Sequence, residues 1–157
     1  MTKIALHEAR MGSAEVPRGS DRGPRLGRYF RAAYSPQGVA WCAAFISYVT
    51  ARAGFPVGPY GRGTVSVATL TKWGMRRGLW FAAGWRRPRA GDIALYPSHA
   101  GLVVRVTRRG QQFMVDGNWT NSVSHHPLFW QPTGYLRLPD RPWHKHHRGP
   151  GEIVLAR

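Results

Sequence analysis

A chain of 157 residues has room for one ordinary hydrophobic core and one site, and its single cysteine excludes an internal disulfide and a zinc cage built from several thiolates. Lys and Arg number 23 against seven Asp and Glu, a formal charge of +16 at pH 7, so the field attracts polyanions: nucleic acid, anionic lipid surfaces or acidic wall polymers. The few acids form no cluster at calcium-loop spacing.

The opening "MTKIALHEARMG" carries Glu8 and lacks the apolar core of a signal peptide, and no later stretch has the length of a membrane span. A soluble protein made in the cytoplasm is expected. The same segment predicts a first helix over residues 2–11, ended by Gly12, and "RLGRYFRAAY" predicts a second over 25–34 behind Pro24. A third, over about 41–53, has Trp41, Phe45, Tyr48, Val49 and Ala53 at helical spacing, then Gly54 and Pro56 as a stop. A fourth runs from Thr64 or Ser66 as N-cap to Gly78, with Val67, Leu70 and Trp73 on one side, and leads into a basic loop.

From Asp92 the period changes. "DIALY", "AGLVVRVT", "QQFMVD" and "GYLRL" read as short antiparallel strands, with "RRGQ" as a hairpin turn and "EIVLA" at 152–156 as a candidate final strand. Helices first and antiparallel strands afterwards define an α+β domain over residues 1–138, its N-terminal helices packed on a C-terminal sheet. Residues 139–157 read as a basic, His- and Pro-rich extension.

Cys42 falls in the first turn of the third helix. A free cysteine is usually core packing, but helix N–H groups and the macrodipole stabilise a thiolate there and make it nucleophilic. A nucleophile needs a base, and the base needs a third group to fix its tautomer. Of seven histidines, His7, His125, His126, His144, His146 and His147 read as solvated. His99 stands at the mouth of an apolar strand behind a Pro-Ser turn. If residues 100–107 pair with 112–119, the open end of the hairpin brings His99 to "VDGN", where Asp116 or Asn118 could accept from its ring. Taken alone, Asp-Gly-Asn is a turn.

Four pieces in this order, "EVPRGSDRGP", "AWCAAFISYVTARAG", "GDIALYPSHAGLVV" and "FMVDGN", resemble the CHAP family of cysteine- and histidine-dependent amidohydrolases and peptidases, which have papain-like folds. The resemblance covers residues from about Ala5 to Leu138. It implies a catalytic Cys42, a general base His99 and an orienting group shared between Asp116 and Asn118, with Asn118 ahead for direct contact with His99; family members commonly carry Glu where Asp116 stands. It also implies Tyr34 or Gln37 as a second oxyanion donor, and Glu15, Ser20, Asp21 and Trp119 as substrate contacts.

The implied substrate is bacterial peptidoglycan, cut by an N-acetylmuramoyl-L-alanine amidase or an endopeptidase of phage-lysin type that reaches the wall by holin-type release, phage delivery or a secretion apparatus. No cofactor or metal is implied, a monomer is expected, and the cationic charge would hold the enzyme on anionic wall polymers, with nucleic-acid binding non-specific. Two alternatives stay open: a zinc hydrolase using His99 with Asp92, Asp116 or "HKHH", and an inactive basic wall- or nucleic-acid-binding module on the same scaffold.

Overall fold

The structure, a computed structural model, describes residues 1–142. The candidate strand "EIVLA" and most of the basic extension lie outside the described residues. All four expected helices form: α1 (Thr2–Arg10), α2 (Gly27–Ala32), α3 (Cys42–Arg52) and α4 (Val67–Arg76). Ser66 caps α4 by accepting the Thr69 N–H at 3.1 Å, which satisfies one of the orphan donors of the first turn. No helix among the described residues is long and apolar enough to cross a membrane.

Among the described residues the sheet has six strands, β1 (Trp80–Ala82), β2 (Ile93–Leu95), β3 (Ala100–Val106), β4 (Gln112–Trp119), β5 (Ser122–Pro127) and β6 (Gly134–Leu136), in the order β1-β6-β2-β3-β4-β5 with every pair antiparallel. The sequence reading has β2, β3, β4 and β6 but not β1 or β5. β1 is three residues inside an aromatic stretch, and β5, "SVSHHP", carries too few apolar residues to show a period.

Alternation sorts the strands into two faces. Ile93, Leu95, Leu102, Val115 and Leu136 join the helices in the main core, whereas Ala94, Val103, Met114 and Tyr135 form a second cluster with Phe81. α1 and α3 pack on the centre of the sheet and α4 on β1. The start of the extension lies on the domain, where Asp140 pairs with Arg89 at 2.6 Å.

Two details of β4 position the site. Gly117 lies so close to α3 that an added Cβ would collide with Phe45 and come within 3.0 Å of Trp41. Between Asp116 and Trp119 the β4–β5 register shifts, with Asn118 at φ 59°, and a two-residue turn follows with Thr120 at φ 51° and Asn121 at φ 67°. Positive φ at both turn residues is the type I′ geometry that suits a tight hairpin, and the irregularity before it re-aims the side chains on either side.

Candidate active site

Cys42 is the first residue of α3, behind Trp41 as N-cap, and the N-cap side chain makes no capping hydrogen bond. First-turn N–H groups and the positive end of the helix dipole thus converge on the thiol. Trp41 is fully buried, and its indole N–H donates to Glu15 Oε1 at 2.9 Å. That bond ties the 13–23 loop to the start of α3. Cys42 itself is only 3% exposed.

His99 closes the turn between β2 and β3, its carbonyl accepting the Tyr96 N–H at 2.9 Å. Its Nε2 lies 2.8 Å from Asp116 Oδ2, which leaves Nδ1 as the ring nitrogen free to serve Cys42, whose sulfur is near enough to raise the proton affinity of the ring. Asp116 is 1% exposed and sits opposite Gly101 in the β3–β4 register. A Cβ at Gly101 would collide with the Asp116 carboxylate, so the absence of a side chain there is what lets the carboxylate reach the ring. Burial of the His99 ring works against its charge, but the hydrogen bond to Asp116, the nearby Cys42 and the Asp116 charge outweigh it and push His99 up to about 9.

The β4 residue that hydrogen-bonds with His99 is Asp116 and not Asn118, a correction to the sequence reading. That reading required β4 to run regularly through Gly117; the register shift and the positive φ of Asn118 break the alternation instead. Asn118 Nδ2 donates to Asp21 Oδ1 at 3.2 Å, joining the 13–23 loop to the end of β4. Burial and then the charge of Glu15 push the Asp21 carboxyl above its ordinary value, against the Asn118 hydrogen bond. Glu15, 6% exposed and holding Trp41, is built into the wall of the site. Ser20 accepts the Arg22 N–H at 3.2 Å and closes its own loop.

Of the two oxyanion candidates, Tyr34 is 74% exposed with the Arg62 guanidinium 5.7 Å over its ring, an open position that suits no donor to a buried oxyanion. Gln37 accepts the Gly23 N–H at 2.8 Å, leaving its amide NH₂ as the part still able to donate. Trp119 does stand at the site, its ring 5.9 Å from that of His99.

His126, which the sequence reading assigns to solvent, has a side chain 11% exposed, with Nε2 3.6 Å from the same Asp116 oxygen. It stacks on Trp119 at 4.2 Å. The signal that could have found it is positional: a strand folding back after β4 across a tight turn puts Ser124 opposite Asp116 and His126 diagonal to it on the same face.

The groups brought together are a thiol at a helix N-terminus, an imidazole and a buried carboxylate, the parts that nucleophilic thiol chemistry requires. No family model, curated protein or solved structure matches the chain.

Proposed function

We propose that the protein is a cysteine amidohydrolase of CHAP type, on a papain-like fold, that cleaves amide bonds of bacterial peptidoglycan. The observation that carries the reading is His99 held between Asp116 and Cys42, with Cys42 at the first residue of α3. A merely basic binding module needs no buried carboxylate, and burying one without purpose is costly. Order and spacing of the four motifs that resemble the CHAP family supply the substrate class.

In the reaction, Cys42 passes its proton to His99, and the thiolate attacks the amide carbonyl to give a tetrahedral oxyanion. The Cys42 backbone N–H is the first donor to that oxygen. Collapse breaks the C–N bond as His99 protonates the leaving amine, leaving a thioester on Cys42. A water, deprotonated by His99, then attacks the thioester; the carboxylate product leaves and the thiol recovers its proton. Asp116, hydrogen-bonded to Nε2, orients the ring and steadies the imidazolium. Trp119, beside His99, offers a flat face to the substrate.

The exposed arginines, among them Arg18, Arg31, Arg52, Arg76, Arg108 and Arg109, supply the attraction to anionic wall polymers. Digestion of purified peptidoglycans by wild type and Cys42→Ala, with products read by mass spectrometry, tests the proposal. Fragments from wild type alone are expected, and their new termini distinguish amidase from endopeptidase. Equal products from both proteins, or none from either on any wall type, would overturn it.

A further inference from the structure

Asp116 faces two imidazoles, and the reaction above uses only one. His126 Nε2 and Asp116 Oδ1 are both buried and both without a hydrogen-bond partner among the described residues. On its other side, His126 Nδ1 lies 2.8 Å from the Pro127 carbonyl. A carbonyl oxygen only accepts, so Nδ1 carries a hydrogen in every state of the ring. The neutral ring therefore turns a bare lone pair toward the Asp116 carboxylate, and only the doubly protonated ring turns a donor toward it. Stacking on Trp119 at 4.2 Å and on Phe129 at 5.5 Å holds the plane in place, so the ring cannot swing away from this choice.

We propose that His126 is a positioning residue: its protonated ring shares the Asp116 carboxylate with His99 and so sets how readily His99 gives up its proton to the leaving amine. The role of His99 rests on the proposed hydrolase reading; the coupling between the two rings does not. When His126 is charged, part of the Asp116 charge is committed to it, and the positive ring repels a proton on His99. When His126 is neutral, Asp116 serves His99 alone.

The surroundings agree in direction. Burial disfavours the charged form of His126, but the Asp116 carboxylate 3.6 Å away and the Pro127 carbonyl raise its proton affinity, while the charge of His99 lowers it. The charged groups that act on it are Asp116 from β4 and His99 from the head of β3. Its neighbour His125 is exposed and lies against Phe113. α1, also packed on β5, carries Lys3, His7, Glu8 and Arg10, and Glu8 is turned to Tyr29, Arg25 and Arg28. Two groups this close titrate as a pair rather than singly.

The experiment is a ¹⁵N-edited NMR titration of the imidazoles in the full chain, wild type against His126→Gln. In wild type, each ring's curve is expected to carry a second inflection at the other's midpoint. In His126→Gln, which keeps a donor but loses the charge, the His99 midpoint rises by about half a pH unit or more. A folded variant with an unmoved His99 midpoint overturns the proposal, as do single inflections for both rings in wild type. Should His126→Gln not fold, Asp116→Asn gives the reading: both midpoints fall if the carboxylate is shared, and an unmoved His126 overturns the idea. The titration needs no substrate, so it remains decisive for the coupling even if the protein cuts no peptidoglycan.

Discussion

At the scale of single residues, the Asp116 carboxylate is the leading group that raises the proton affinity of His99 against the effect of burial. Asp116→Asn keeps the shape but removes the charge, so the His99 midpoint should fall from about 9 toward the ordinary value of about 6.5. A folded-state value raised above the unfolded one contributes stability that is fully present below about 6.5 and lost as pH rises through about 9. Wild type should therefore lose melting temperature across that window, and Asp116→Asn should lose much less. Peptidoglycan cleavage should drop about 10²- to 10⁴-fold in Asp116→Asn. Asn118→Ala should leave the high-pH limb of activity in place, because Asn118 reaches Asp21 and not His99. Cleavage rates and calorimetric melts over a pH series check both variants. Cys42 and His99 are legible in the sequence because each has a local signature, a helix start and a strand mouth. Asn118 is misread because the reading depends on strand regularity through a Gly-Asn step that the backbone breaks with a positive φ.

At the scale of elements, the site is a product of strand register. Gly101 opposite Asp116 leaves room for the carboxylate, and Gly117 lets β4 approach the start of α3. Gly101→Ala is expected to keep the circular dichroism of wild type but to displace Asp116 from His99, lowering cleavage about 10²-fold and moving the His99 midpoint downward. Undiminished cleavage would show that the carboxylate can be reached another way. The helices and central strands are legible because their apolar periods are long enough to read. β1 is too short for a period, and β5 has a single buried apolar residue, Val123, among half-buried serines and a histidine stacked on Trp119. That is why His126 escapes a reading based on hydrophobic pattern: its burial comes from aromatic neighbours and a carboxylate brought in by the fold.

At the scale of the whole molecule, +16 over 157 residues is a field rather than a site. Retention on immobilised teichoic acid should weaken steadily with added salt, with a negative slope of log affinity against log salt, and Cys42→Ala should bind as wild type does. Binding insensitive to salt would point to a specific contact that the charge does not explain. The composition makes the attraction legible but names no polymer, because screened charge carries no shape information.

The single cysteine also makes the chain its own reporter, since one alkylation adds one label to the intact mass. The measurement that tests the account most directly is the rate of Cys42 alkylation by iodoacetamide at about pH 6, where free cysteine reacts slowly, in wild type and His99→Ala. The account predicts a rate well above that of free cysteine in wild type and a large loss in folded His99→Ala. Equal rates in the two proteins would contradict a Cys42 activated by His99.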